Sequence, residues 1–375
     1  MSGHDMPEGV DNSVRFQWKS DLRFPLKLRT HGCASGPGLR GSRHLGDTAA
    51  GSAGYSRAAV WYPVVGTGTV GEDDVVMAAG RTGPRLRVGV ISAGRVGAVL
   101  GAALQRAGHQ VVAVSAVSEA SLRRAEELLP GVAVLPPDEV ALQADLVLLA
   151  VPDDAIAGLA RGLVATGSLR AGQILVHTCG AHGVDVLAPA ADVGVLPLAL
   201  HPAMTFTGRA EDVERLANAC MAVTASGVDD AGWHVAEALA LELGMEPVRV
   251  PEESRRLYHA ALTHGANHLI TLVNECAELL RGAGIEIPDR VMAPILSASL
   301  DNALRLGDRA ITGPVMRGDA GTVRAHLAAL GGENPETVAS YRELAKRTAE
   351  RAEQAGILRA DGAAAVREAL DEEPS

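Results

Sequence analysis

At 375 residues, with 47% hydrophobic and 21% charged residues, the chain is long enough for two globular domains with real cores. Its formal net charge of -11 argues against a polyanionic partner, because nucleic-acid binding needs clustered cations and no basic stripe with interleaved aromatics occurs. No stretch approaches the ~18 to 20 apolar residues of a membrane span and the start MSGHDMPEGVDN has no apolar leader core, so no membrane association is expected and the cytoplasm is the expected compartment.

Residues 1–83 read as an N-terminal extension, flexible or foreign to the native protein, with Met77 as the expected functional start. The first 76 residues hold six of the ten aromatics, show no sustained period, and include the Gly/Ser-rich stretch THGCASGPGLRGSRHLGDTAAGSAG. From Arg85 the pattern changes to alternating strand and helix: strand LRVGVIS, helix RVGAVLGAALQRAG, strand QVVAVSA, helix SEASLRRAEELL and a short strand VAVLP. Strand DLVLLAVP, helix DAIAGLARGLVA, strands QILVHT and VGVLPLAL, and the unit CMAVTAS, DDAGWHVAEALALELG, EPVRVP continue it. Such alternation predicts an α/β fold, a Rossmann-type and mostly parallel sheet, over 84–252.

After Ser254 the strand signals stop. LYHAALTHGANHLITLVNECAELLRGAG, DRVMAPILSASLDNALRLG, AGTVRAHLAAL and ETVASYRELAKRTAERAEQAG predict an all-helical domain over 253–358, and 359–375 reads as a polar tail. Four cysteines, Cys33, Cys179, Cys220 and Cys276, stand far apart without C-x-x-C spacing, which suits reduced thiols and gives no metal site.

The stretch VGVISAGRVG places Ser92, Ala93, Gly94, Arg95, Val96 and Gly97 between a strand and a helix. In a G-x-G-x-x-G turn the second glycine lets backbone approach a diphosphate and the third lets helix pack on strand; Gly94 and Gly97 fill those places. Ser92 stands at the first, a substitution of little cost unless its φ is positive. The following strand ends VAVSAVS, without the Asp or Glu of an NAD site, and Ser115, Ser118 and the arginines beyond favour NADP(H), with NAD possible. Val151 and Pro152, at the end of DLVLLAV, should line the same coenzyme.

Ligands of open parallel sheets lie outside the carboxyl ends of the strands. There His177, Thr178, Cys179 and Gly180 follow one strand, and His201 and Thr205 another. His201 and His177 are candidate proton donors to a carbonyl; Cys179 reads as a small loop residue rather than a nucleophile. On the first helix of the C-terminal domain, His259, Thr263 and Asn267 recur every four residues as a polar stripe facing the crevice. His264 and His268 share metal-ligand spacing but read as surface residues. Arg317 either clamps a substrate carboxylate or pairs with Asp319 to fix its loop.

With VGVISAGRVG, DLVLLAVPDDAI, HTCGA, HPAMTF, YHAA with Asn267, and TGPVMRGD in view, residues 85–350 resemble the superfamily of 6-phosphogluconate dehydrogenase, pyrroline-5-carboxylate reductase and ketopantoate reductase. The closer resemblance is to bacterial Rossmann-like proteins with a C-terminal helical domain of unknown function. It implies a nicotinamide-dependent oxidoreductase of a small carbonyl or imine metabolite, ketopantoate being the first to test, with a homodimer formed through the helical domain. It also implies a substrate loop at Cys179-Gly180 and a role for Asn267; the residues themselves make His201, His259 and His177 the candidate proton donors, with Thr178, Thr205, Thr263 and Arg317 around the substrate. Relatives usually carry a lysine four residues before the helical asparagine; here that position is Thr263, and Lys346 is the only lysine after residue 77. The departure keeps a second expectation open, a non-catalytic NADP(H)-binding sensor or partner-binding protein.

Overall fold

The computed structural model describes residues 85–226 and 230–372. The expectations for the N-terminal extension and for Met77 lie outside the described residues.

Short apolar runs and amphipathic segments alternate as expected: β1 (Arg87–Ile91), α1 (Arg95–Arg106), β2 (Gln110–Ser115), α2 (Glu119–Leu128), β3 (Ala133–Val134), α3 (Pro137–Gln143), β4 (Leu146–Leu149) and α4 (Asp153–Ala165). Next come β5 (Ile174–His177), α5 (Ala188–Ala191), β6 (Leu196–Pro202), α6 (Ala210–Arg215), β7 (Cys220–Ala225), α7 (Ala231–Glu242) and β8 (Glu246–Arg249). All eight strands join one sheet in the order β3-β2-β1-β4-β5-β6-β7-β8, with every neighbouring pair parallel except β6 with β7. The first six follow the dinucleotide-fold order, and the strand order reverses between β1 and β4.

Strands such as LVLL and ILVH are buried along their whole length because helices cover both faces. One core packs α1, α2, α6 and α7 on one face through Leu100, Leu104, Leu129, Leu216 and Leu239; the other packs α3, α4 and α5 through Val140, Ile156, Leu163 and Ala190. Ligands of such sheets bind outside the carboxyl ends of the strands.

The remainder is helical: α8 (Arg255–Gly282), α9 (Pro288–Leu306), α10 (Gly313–Arg317), α11 (Ala320–Glu333), α12 (Pro335–Gln354) and α13 (Ala360–Asp371). The last corrects the polar tail. Ala363, Val366, Ala369 and Leu370 share one face of α13 and are buried with Val323, Leu327 and Ala349 in a core formed by α10 to α13, so this stretch is an integral helix with a charged outer side. Among the described residues no helix is long and apolar enough to cross a membrane.

Candidate functional site

The turn after β1 is built by close approach. A Cβ on Gly97 would lie 2.1 Å from the Ser92 carbonyl oxygen and 2.9 Å from the Ala150 Cβ, so α1 is seated directly on the ends of β1 and β4. At Gly94 a Cβ would meet only the Ser92 hydroxyl, at 3.5 Å, leaving that side of the turn open. Gly94 is the N-cap of α1 and no side chain caps the helix. The amides of the first turn and the helix dipole are thus available to an anion, as a diphosphate requires.

Ser92 departs from the expectation of little cost. Its φ is +77°, in the left-handed region, where a side chain costs roughly 1 to 2 kcal/mol. The end of β2 holds it there: Ser92 N–H donates to Ser115 Oγ at 2.9 Å and Ala93 N–H to the Ser115 carbonyl at 2.7 Å. Ser92→Gly is accordingly expected to raise stability by about 1 kcal/mol, read as a higher urea midpoint.

Ser115 is buried, and its hydroxyl, by accepting the Ser92 amide, braces the turn. Ser118 is exposed as the N-cap of α2, where its hydroxyl accepts the Ser121 amide. Two arginines converge nearby on the loop after β6. A methyl on Gly208 would lie 2.7 Å from Arg124 Nε and 2.9 Å from the Arg95 side chain. Asp212 braces this loop, its carboxylate accepting the Thr207 and Gly208 amides and the Thr207 hydroxyl. Burial pushes the Asp212 carboxyl up, but these hydrogen bonds outweigh it and hold the group below its usual range. Thr205, on the same loop, is exposed. Val151 and Pro152 close β4 and open α4 beside the turn.

At the ends of β5 and β6 the two histidines have different surroundings. His177 is fully buried; its Nδ1 accepts the Cys179 amide at 3.2 Å, which leaves Nε2–H to donate to the Gly183 carbonyl at 2.7 Å. Neither ring nitrogen remains for a substrate, so its geometry is that of a loop anchor, the reverse of the catalytic expectation. Burial, reinforced by Arg255, lowers its pKa to about 4. Thr178 N–H donates to Leu149, and the Cys179 thiol, beside Asp153, is pushed up to about 11 by burial, which leaves it un-nucleophilic.

His201 lies beside Ala222 of β7 and is only partly buried. Its Nδ1 is 2.9 Å from the Tyr258 hydroxyl, and its ring centroid stands 6.0 Å from that of His259. Gly180 closes the group: a Cβ there would sit 3.1 Å from His201 Nε2 and 2.8 Å from the His259 ring. Burial, then Arg255 and His259, lower the His201 pKa to about 4 against the opposing charge of Asp153.

Arg255, the first residue of α8, escaped the sequence reading. It is 1% exposed, and its guanidinium donates to the Thr224 hydroxyl at 2.7 Å and to the carbonyls of Ala199 at 2.8 Å, Ala222 at 3.1 Å and Cys179 at 3.4 Å. One buried cation thus ties β6, β7 and the loop after β5 to the start of α8. A signal was present, since the spacing of four in His259, Thr263 and Asn267 runs back to Arg255.

The rest of that stripe does not reach the histidines. Beyond its first turns α8 packs on α9; Thr263 is half-buried and Asn267 exposed. His264 and His268 touch each other at 3.0 Å on the exposed surface. Arg317 is exposed on α10, which packs on α11, α12 and α13, while Asp319 caps α11 by accepting the Thr322 amide and hydroxyl. The helical domain of this chain therefore brings Tyr258 and His259, but neither Asn267 nor Arg317, to the strand ends.

A stability profile follows from the two lowered histidines. Their folded pKa of about 4 lies below the ordinary 6.5, so the unfolded chain takes up protons that the folded one refuses. Stability is full above pH 6.5 and drains as pH falls to 4, with fully buried His177 alone accounting for about 3 kcal/mol. Thermal melts across that interval check it; a flat Tm would contradict the burial of His177.

Residues 73–202 match the family described as a Rossmann-like domain, and residues 219–348 match a domain of unknown function, DUF2520. The chain thus carries a Rossmann-like domain followed by a DUF2520 domain. The DUF2520 match begins at β7, so it takes in the last two strands as well as α8 to α11 and most of α12. A Bacteroides fragilis protein named for an inferred NADP oxidoreductase activity is similar to this DUF2520 protein at 26% identity and a TM-score of 0.60, over 70% of this chain and 98% of its own. A Thermotoga maritima protein is similar at 20% identity and a TM-score of 0.57, over 71% of this chain and 99% of its own, a likeness of fold. No curated protein matches the chain.

Proposed function

We propose that the protein is an NADP(H)-dependent oxidoreductase of a small carbonyl or imine metabolite, a 2-keto acid such as ketopantoate being the first substrate to test. One observation carries the reading: an uncapped, glycine-opened helix N-terminus stands at the switch point of the sheet, and a partly open histidine group lies at neighbouring strand ends. The name of the Bacteroides fragilis protein supports the same chemistry. Amides of Arg95, Val96 and Gly97 would hold the coenzyme diphosphate, with Val151 and Pro152 alongside. A bound nicotinamide supplies or accepts hydride. His201 and His259 hydrogen-bond the substrate's reacting polar atom, Gly180 leaves room for it, and the covering strand ends limit water.

Arg95 and Arg124 at Gly208, with Ser118 at the start of α2, favour NADP(H) over NAD, since none of the ion pairs among the described residues engages either arginine. Arg124→Ala is expected to weaken NADPH by about tenfold to a hundredfold and leave NADH unchanged, as titrations with each coenzyme would read.

The long α8 and α9 expose Leu257, Ile270, Val291, Ile295 and Leu304, each more than half exposed, and a second copy of the chain covering them gives a homodimer. Free thiols at Cys179, Cys220 and Cys276 suit the cytoplasm. Coupled NADPH oxidation across 2-keto acids, aldehydes and cyclic imines, with His201→Ala as control, tests the activity. Substrate-dependent oxidation lost in His201→Ala supports it; binding of NADPH without turnover on any substrate would instead make the protein a non-catalytic sensor.

A further inference from the structure

Tyr258 lies against the proposed proton donor. It stands next to His259 at the start of α8, its hydroxyl 2.9 Å from His201 Nδ1 and its ring edge-on to the imidazole at 5.5 Å. Two proton arrangements fit that distance: the phenol donates to Nδ1, or Nδ1–H donates to the phenol oxygen. A phenol is the stronger acid and an imidazole nitrogen the stronger base, so O–H to Nδ1 is favoured. Burial raises the Tyr258 pKa, which keeps the phenol protonated and able to donate, while the Arg255 guanidinium, 6.0 Å from its ring centre, opposes positive charge on the imidazole.

With Nδ1 occupied as an acceptor, the ring proton of a neutral His201 must sit on Nε2. That atom is the one beside Gly180, and no hydrogen bond to it occurs among the described residues. We propose that Tyr258 is a positioning residue that locks His201 as its Nε2–H tautomer, so that the crevice offers an uncharged donor fitted to a carbonyl oxygen and unfitted to an iminium nitrogen, which has no lone pair to accept it.

The groups facing His201 are Tyr258, His259 and Arg255 from α8, Asp153 from α4 and His177 from β5. Only Asp153 favours the imidazolium, and burial, Arg255 and His259 outweigh it. A neutral N–H strengthens its hydrogen bond as negative charge grows on an oxygen, without reorganising. When Nε2 gives its proton to that oxygen, the Tyr258 proton moves to Nδ1, the phenolate left behind is held near Arg255, and water returns a proton to it.

The tautomer is a property of the bare chain; only the identity of the acceptor rests on the proposed reductase activity. Nitrogen-15 NMR of histidine-labelled full-length protein without coenzyme tests it, with the His201 resonances assigned by their loss in His201→Gln. Near neutral pH, Nδ1 should appear in the pyridine-type range and Nε2 in the pyrrole-type range. In Tyr258→Phe the tautomer preference, about tenfold for one hydrogen bond, should fall toward parity. An Nδ1–H tautomer or an imidazolium in the unsubstituted protein would overturn the proposal whether or not the variant folds, as would an unchanged spectrum in Tyr258→Phe. Absence of turnover would leave this result standing and remove only the reductase reading.

Discussion

Replacing Gly97 by alanine is expected to destabilise the protein by about 3 kcal/mol and to abolish coenzyme binding with it. The added methyl would be driven to 2.1 Å from the Ser92 carbonyl oxygen and 2.9 Å from the Ala150 Cβ, and neither neighbour is the free end of a flexible side chain. Helix α1 must then lift from β1 and β4, taking Leu100 and Leu104 out of register with the core they fill. Gly94→Ala should behave oppositely. Its φ of -71° suits any residue and its Cβ site is open, so stability should change by no more than about 0.5 kcal/mol. Yet the methyl stands on the side from which a diphosphate would approach, and affinity for NADPH should fall by about tenfold or more. Urea unfolding with coenzyme titration separates the two. Equal effects from the two alanines would mean that the turn has no functional side.

Arg255→Met should cost about 4 kcal/mol, the largest single loss outside the turn. Methionine preserves much of the stem but leaves the Ala199 and Ala222 carbonyls and the Thr224 hydroxyl without the donor that now joins them. The Thr224 hydroxyl donates onward to the Val250 carbonyl, so the loss extends to the end of β8. Lysine should recover only part of the stability, since one ammonium cannot reproduce the planar fork that bridges β6 and β7. Arg255→Met also removes a cation that, after burial, helps keep His201 uncharged, so the His201 pKa should rise in that variant and much less in Arg255→Lys. An Arg255→Met midpoint within the range of surface substitutions would show that α8 is anchored by its apolar contacts instead.

The parallel sheet and the turn were legible because their causes are local. Runs such as LVLL admit only a strand buried on both faces, and Gly94 and Gly97 have the spacing of a strand-to-helix turn. Strand direction is not local: CMAVTA has the same hydrophobicity read either way, so nothing in it marked β7 as antiparallel to β6. The positive φ of Ser92 was equally hidden, being imposed by Ser115 from another strand. In α13 the spacing of Ala363, Val366 and Leu370 was readable, but Asp361, Arg367, Glu368 and Asp371 on its outer side masked it.

The histidines show the same division. The sequence put His177 and His201 at the ends of β5 and β6, but whether a ring nitrogen stays open depends on the Cys179 amide, the Gly183 carbonyl and the Tyr258 hydroxyl: His177 keeps neither, and His201 keeps Nε2. The polar stripe of α8 marked a real face but not its reach: over 28 residues the helix runs about 42 Å, and only its start meets the sheet.

Equilibrium titration of the purified chain with NADPH and NADH is the most direct measurement of whether the Gly94 turn is a coenzyme site. The expected result is saturable binding of both, with NADPH tighter by about tenfold or more and weakened by Gly94→Ala in a protein that remains folded. Binding of neither coenzyme by folded protein, or binding that Gly94→Ala leaves untouched, would contradict it.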